Sequence, residues 1–393
     1  MVKHREFPDA VIDAIQYVTG IGEHQLHIPD LNEQDQQSVI GCFDEGFVSS
    51  VGSKISEFES RLEEYTGAKH AVAVSSGTAA LHTALIAAGV GKNDEVLLPA
   101  LTFAATGNAV LYCDAVPHFV EITECGFGVN PILLSEYLNK IVDVNSNGET
   151  INKTTGRVIR ALISVHIFGH ITEINALKAL AKNFNIILIE DAAEALGSWA
   201  NNIHAGLHGL VGALSFNGNK IITTGGGGCL LTNDDQIAAK ARHISTTAKR
   251  NHPYHYYHDE LGYNYRMPNL NAALGLSQIA RLETFLEEKN HLRDAYLNAF
   301  NAVSGCRLYE HTSTSISNYW LQTIVLDAEN HDLRDYVIEE AHKKGLFLRP
   351  IWTPLNFLPQ FADCPLMNLE TTKSIAKGLI NIPSSCYLGR HNE

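Results

Sequence analysis

Val211-Gly212-Ala213-Leu214-Ser215-Phe216-Asn217-Gly218-Asn219-Lys220-Ile221-Ile222-Thr223-Thr224, followed by the glycines Gly225 to Gly228, is the stretch whose reading decides the fold. Lys220 stands between an apolar run and a glycine tract. A lysine on a short turn walled by apolar strands is one whose ammonium form is destabilised by desolvation, which leaves a nucleophilic amine. Such an amine forms Schiff bases with carbonyl compounds. The glycines let backbone approach a bulky ligand closely. The same residues also suit a plain strand, turn and hairpin with a solvated lysine, so the surrounding chain has to decide.

The chain changes texture at His70. From there short apolar runs, at 71–74, 95–98, 117–120, 160–165, 186–189, 213–216 and 229–232, alternate with helical segments. Strands this short with helices between them predict a mostly parallel α/β sheet covered on both faces. Ahead of it, a helix is expected over 9–17, then an extended arm at His27-Ile28-Pro29. A helix over 31–43 follows, capped by Asp30 or Asn32, and another carries Ile55, Phe58, Leu62 and Tyr65 up to Gly67. The polar interval 143–155 reads as an insertion or hairpin. Leu276, Ile279, Leu282, Leu286, Leu292, Tyr296 and Phe300 share one face of a single long helix that leaves the sheet domain. Beyond it, short strands at 320–326 and 346–351 and a helix over 333–344 are expected. The predicted division is residues 1–30 as N-terminal helix and arm, 31–275 as the large domain, and 276–393 as a smaller C-terminal α+β domain.

Hydrophobic residues make up 45% of the 393, enough for a large core. The formal net charge of −14 argues against nucleic acid or an anionic membrane as partner. It still allows a local pocket for an anionic ligand. Seven scattered cysteines without a C-x-x-C pair fit reduced thiols. With no long apolar stretch for a membrane span and no signal peptide, the expectation is a cytoplasmic enzyme.

Four further stretches carry chemistry. Ser75-Ser76-Gly77-Thr78-Ala79-Ala80-Leu81 follows an expected strand and opens a helix, a place where free amides suit a phosphate or an ordinary N-cap. Neither a dinucleotide G-x-G-x-x-G nor a Walker loop fits, since Lys220 precedes its glycines. Ile189-Glu190-Asp191-Ala192-Ala193-Glu194 ends a buried strand with carboxylates, and ligands of open α/β sheets sit beyond such ends. An acid there can hold a protonated pyridine nitrogen, or simply cap a helix. Phe103, in another strand-end loop, can stack on a flat ring or belong to the core. His252, His255 and His258 lack the spacing and flanking cysteines of a common zinc site, so no metal is expected.

Together these stretches resemble the pyridoxal-phosphate-dependent nucleotide-sugar aminotransferases, the DegT/DnrJ/StrS family. The resemblance runs from about residue 27 to Ser385. It includes Phe47-Val48-Ser49-Ser50-Val51-Gly52, Ser76 to Leu81, Thr102-Phe103, Val165-His166-Ile167-Phe168-Gly169, Glu190 to Glu194, Ser215-Phe216 with Lys220, and Gly262-Tyr263-Asn264-Tyr265-Arg266-Met267. It implies the aspartate aminotransferase fold (fold type I), a pyridoxal 5′-phosphate cofactor and a homodimer with shared sites. By resemblance Lys220 holds the cofactor, Asp191 partners the pyridine nitrogen, and Gly77, Thr78 and Ser215 bind the phosphate. Phe103 stacks on the ring, and Asn264 reaches the phosphate of the neighbouring subunit's cofactor. Glu194 stands where many members carry glutamine or histidine, near the cofactor's phenolic oxygen. Arg266 and Arg349 are candidates for the acidic groups of a substrate. The blocks 215–228 and 258–271, the arm and the insertion look most like enzymes that use glutamate to aminate carbon-4 of UDP-linked 4-keto-6-deoxy-N-acetylhexosamines. Perosamine synthases, which take a GDP-linked keto sugar, come second, with a carbon-3 sugar aminotransferase as the other alternative. Related dehydratases replace the lysine by histidine, against which Lys220 speaks, and a pyridoxal-binding regulator usually carries a basic DNA-binding segment that is not seen here.

Overall fold

In the computed structural model, which describes residues 3–311 and 314–390, the chain opens with three helices, α1 (Lys3–Thr19), α2 (Glu33–Asp44) and α3 (Ser53–Thr66). Asn32, one of the two expected caps, starts α2. Its side chain accepts the Asp35 N–H at 3.1 Å, and Asp35 accepts the Asn32 N–H at 2.9 Å. Gly67 ends α3 at φ +76°, in the left-handed region that glycine enters without a Cβ clash.

Strands and helices then alternate. They are β1 (His70–Val74), α4 (Gly77–Ala87), β2 (Glu95–Pro99), α5 (Ala104–Tyr112), β3 (Val116–Val120) and α6 (Pro131–Ile141). The polar interval forms a hairpin, β4 (Val142–Val144) and β5 (Thr150–Asn152). Next come β6 (Ile159–Val165), α7 (Ile174–Asn183), β7 (Ile187–Asp191), a small hairpin of β8 (Trp199–Ala200) and β9 (Ile203–His204), then β10 (Val211–Ser215), β11 (Gly228–Thr232) and α8 (Asp235–Ser245). Seven strands make one sheet in the order β1-β11-β10-β7-β6-β2-β3. β11 is antiparallel to both neighbours, and the remaining pairings are parallel. Strands buried on both faces need no polar alternation, which is why β2 and β11 are buried from end to end.

The rest of the chain supplies α9 (Asn269–Ile279), α10 (Leu282–Phe300), β12 (Cys306–Leu308), β13 (Gln322–Leu326), α11 (Arg334–Lys343), β14 (Arg349–Pro350), α12 (Glu370–Gly378) and β15 (Leu379–Ile382). Its strands form an antiparallel sheet, β12-β13-β15-β14. The single long helix expected from Leu276 is two helices. The break falls at Ala280-Arg281, where Arg281 Nη1 reaches Asp30 Oδ1 at 2.8 Å and Nη2 reaches Asp35 Oδ2 in α2 at 2.6 Å. The apolar face runs on through the break, so periodicity could not reveal it. α1 packs at this end of the molecule, with Val11, Ile12 and Ile15 in one core with Leu292, Tyr296 and Phe300.

Two buried polar groups hold the C-terminal part in place. Glu121, just past β3, accepts the N–H groups of Thr371 and Thr372 at 2.8 and 2.9 Å and so caps α12. Lys289, fully buried on α10, donates to the Trp320 carbonyl at 2.7 Å and to the Ser384 carbonyl. Burial pushes the Lys289 ammonium down from 10.5 to about 7, only partly opposed by Cys386. Between those values the unfolded chain holds this proton and the folded chain releases it, so stability rises with pH through the window. Each pH unit there adds at most about 1.4 kcal/mol. Urea unfolding at pH 7 and pH 9 should show the wild type gaining stability relative to Lys289→Met. Parallel behaviour of the two proteins would mean that Lys289 keeps its charge when buried.

Candidate active site

The parallel strands β6, β7 and β10 end together, and the sheet register sets which side chains meet there. Val165 pairs with Asp191, and Asp191 with Ala213, so the last residues of β6 and β7 stand side by side and β10 runs two residues further, to Ser215. α4 begins at the same edge, its N-cap Ser76 accepting the Ala79 N–H at 3.0 Å. Gly77 is required at that point: a Cβ there would lie 2.7 Å from Ser215 Cβ. Between these ends lies a cavity of about 300 Å³, within the range of small-molecule sites. Gly77, Thr78, Phe103, Asp191, Glu194, Ser215 and Lys220 all line it.

Asp191 closes β7 and is buried. Its Oδ2 accepts from Thr106 Oγ1 at 2.7 Å and its Oδ1 from the Ala193 N–H at 3.2 Å. Burial pushes its carboxyl up, while Thr106, the Ala193 amide and the charges of Lys220 and His166 draw it back. Thr106 sits in the first turn of α5, and its hydroxyl also bonds that of Thr102 at 2.9 Å. Phe103, the residue before α5, is 57% exposed, so it belongs to the mouth of the cavity and not to the core.

Lys220 lies in the 216–227 loop of the β10–β11 hairpin. The loop is crowded against its base: a Cβ on Gly228 would come 2.4 Å from the Ser76 carbonyl oxygen. The surroundings of the lysine differ from the apolar wall expected. Its Nζ lies 3.1 Å from Glu194 Oε1 and 3.9 Å from the centroid of the Trp320 ring. Glu194 Oε2 in turn accepts the Phe168 N–H at 2.9 Å. Phe168 holds a left-handed backbone, φ +55°, rare for a bulky residue, which aims that N–H at the carboxylate.

Three residues singled out from the sequence do not line this cavity. Asn264 is exposed and bridges Thr246, and Arg266 bridges Val74 at the end of β1. Arg349 is exposed on β14, three residues short of Trp352, which does line the cavity. The loop histidines are occupied locally: His252 Nδ1 accepts the His255 N–H at 3.0 Å, and His258 Nδ1 bonds the Thr247 carbonyl at 2.7 Å. Sequence reasoning missed Thr106, Trp320 and Trp352. Thr106 stands only three residues after Phe103, at the same strand end. Trp320 comes from the other sheet, about a hundred residues on, and its indole N–H donates to the Asn219 carbonyl at 2.7 Å. No local pattern marks it.

A model of the DegT/DnrJ/EryC1/StrS aminotransferase family matches residues 29–392. A GDP-perosamine synthase of Caulobacter vibrioides is 33% identical over 92% of this chain and 92% of its own length. Another from Vibrio cholerae is 34% identical over 91% of this chain and 93% of its own length. Among solved structures, a family aminotransferase from Brucella abortus superposes with a TM-score of 0.80 at 26% identity, covering 90% of this chain and 91% of its own. Helicobacter pylori PseC, an aminotransferase of pseudoaminic acid biosynthesis, shares the fold with a TM-score of 0.82 at 22% identity, covering 92% of this chain and 94% of its own. The architecture is thus the α/β aminotransferase fold of type I, a mixed, mostly parallel sheet with a small antiparallel one. The chain belongs to the DegT/DnrJ/EryC1/StrS aminotransferase family, and it is a pyridoxal-phosphate-dependent sugar aminotransferase.

Proposed function

We propose that this enzyme moves an amino group from glutamate to carbon-4 of a UDP-linked 4-keto-6-deoxy-N-acetylhexosamine, with Lys220 and Asp191 as its catalytic residues. The observation that carries the reading is the placement of an amine and a buried carboxylate on one small cavity at the carboxyl ends of parallel strands. The cavity fits pyridoxal phosphate. A glycine-tight helix start with Thr78 and Ser215 beside it suits the phosphate. An exposed Phe103 suits the face of a flat ring, and Asp191, held by Thr106, suits a protonated ring nitrogen.

Bound there, the cofactor supplies an aldehyde and an electron-withdrawing ring. Asp191 keeps a proton on the ring nitrogen, and Thr106 keeps the carboxylate in line. The α4 amides and the hydroxyls of Thr78 and Ser215 anchor the phosphate. Lys220 would hold the cofactor through its Nζ and, when free, its amine would carry a proton at the reacting carbons. Asn264 acts from a second copy of the chain in this reading, and Arg266 stays a candidate for a substrate's acidic group. Exposed Phe43, Phe47, Val51 and Tyr256 on the same protein support a homodimer. Arg349 stays a candidate for a substrate's acidic group. Scattered cysteines without a C-x-x-C pair support action in the reducing cytoplasm, and no helix among the described residues is long and apolar enough to cross a membrane.

The uridine assignment rests on the blocks 215–228 and 258–271. A second reading, a GDP-linked keto sugar, is favoured by the perosamine synthases at 33% and 34% identity. Purified protein given UDP-, GDP- and dTDP-linked 4-keto sugars with glutamate should yield an aminated product from the UDP-linked one, identified by mass and NMR. Exclusive use of the GDP-linked sugar would replace the first reading by the second. Borohydride reduction of the loaded protein should place the trapped cofactor mass on Lys220. Lys220→Arg keeps a positive charge beside Glu194, and it should lose that mass and lower turnover by more than the roughly 10²–10⁴-fold of a positioned acid–base group. A trapped mass on another lysine removes Lys220 from the role. Asp191→Asn preserves shape and removes charge. It should lower kcat by about two orders of magnitude, the scale of losing one preorganised electrostatic contact, with little change in Tm. Unchanged kcat would show that another group holds the ring nitrogen.

A further inference from the structure

We propose that Glu194 is a catalytic residue, the group that takes a proton from the Lys220 ammonium so that its nitrogen can attack a carbonyl carbon, and that returns the proton to the departing oxygen. The proposal rests on the reading of Lys220 given above and adds a second partner to it.

The geometry is that of a proton-transfer pair. Glu194 Oε1 lies 3.1 Å from Lys220 Nζ, within reach of direct transfer. The side chains are 8% and 12% exposed, so bulk water does not compete freely for the proton. Glu194 is fixed from behind: Oε2 accepts the Phe168 N–H at 2.9 Å, leaving Oε1 for the lysine. Its backbone carbonyl is held by Asn318 Nδ2 at 2.9 Å. On the other side Trp320 covers the amine with its ring at 3.9 Å, and its own indole N–H is anchored on Asn219 in the lysine's loop. The amine is thus confined between a carboxylate and an aromatic face. The charged groups bearing on Glu194 are Lys220 and Asp191. Burial pushes the Glu194 carboxyl up and Asp191 adds to this, while Lys220 and the Phe168 amide draw it down. A carboxylate made more basic by burial is a better acceptor for an ammonium proton than an exposed one.

The step balances without an outside reagent. The N–H bond of the ammonium breaks and an O–H bond forms on Glu194 Oε1. The freed lone pair of nitrogen adds to the carbonyl carbon. The oxygen of that carbonyl takes the Glu194 proton. The restored carboxylate then removes a second proton from the now positively charged nitrogen and passes it to the hydroxyl, which leaves as water while the nitrogen lone pair closes the C=N bond, and Glu194 is again a carboxylate. Nothing is oxidised or reduced. A glutamine or histidine at this position hydrogen-bonds a ligand equally well, but glutamine cannot carry the proton.

Two roles for Glu194 make opposite forecasts. A mere ion pair stabilises the ammonium, so its removal frees the amine and speeds attack. A proton acceptor lowers the barrier, so its removal slows attack. The full-length protein, freed of cofactor, is mixed rapidly with pyridoxal phosphate and bond formation is followed by visible absorbance. Glu194→Gln should slow the bond-forming phase by about 10²-fold or more, and end at the wild-type absorbance and borohydride-trapped mass on Lys220. Glu194→Asp, which keeps the carboxylate at a longer reach, should recover part of the rate and act as a second probe if the glutamine variant folds poorly. Capture by Glu194→Gln as fast as or faster than the wild type, or no difference between the Asp and Gln variants, overturns the proposal. A wild-type trapped mass away from Lys220 instead sinks the underlying assignment of the lysine.

Discussion

Three charges share one cavity at the end of the large sheet: the ammonium of Lys220 and the carboxylates of Glu194 and Asp191. Removing an ion from water costs several kcal/mol even after relaxation, and much of the architecture serves to offset that cost. Asp191 takes donors from Thr106 and from the amide of Ala193. Glu194 takes the Phe168 amide and the lysine. The lysine takes Glu194 on one side and the Trp320 ring on the other. These partners come from α5, from the turn after β7, from the loop after β6 and from the approach to β13. A shift in any one of them strands a buried charge.

That dependence explains features that look costly alone. Phe168 accepts a strained backbone because its N–H is then aimed at Glu194. Neighbouring Gly169, at φ +93°, leaves room for Asn318, whose side-chain oxygen a Cβ would overlap at 1.7 Å. Asn318 holds the Glu194 and Leu196 carbonyls and leads into Trp320. Lys289 then grips the carbonyl of Trp320 from within α10. A buried lysine without a carboxylate is a poor source of stability, but it links the second sheet to the tryptophan that covers the amine. The N-terminal arm closes the same region. His27 lies with its ring centroid 6.3 Å from that of Trp320, and Ser384 donates its N–H to the Leu26 carbonyl at 2.7 Å.

The strand runs from 71 to 232 were legible because strands buried on both faces leave uninterrupted apolar stretches bounded by glycine and polar turns. Asn32 was legible as a cap because capping is local chemistry three residues long. The helix break at Arg281 was not, since it is imposed by Asp30 and Asp35, some 250 residues earlier. Gly77, Thr78, Phe103, Asp191, Glu194, Ser215 and Lys220, named from strand-end position and from the family resemblance, line one cavity. Asn264, named from the resemblance, and Arg266 and Arg349, named as substrate candidates, lie outside it.

The order of short apolar strands and the polar residues at their carboxyl ends, both set by local sequence, determined by themselves that this is an α/β protein with its chemistry at one edge of a sheet. Alternation and turn chemistry act over a few residues, so the chain can be read for them directly. Only the folded chain decided what stands against the lysine. Glu194, 26 positions before it, and Trp320, a hundred after it, are brought to within 4 Å of its nitrogen by sheet register and by the docking of a second body. Electrostatic environment depends on distance in space, and separation along the chain carries no record of it.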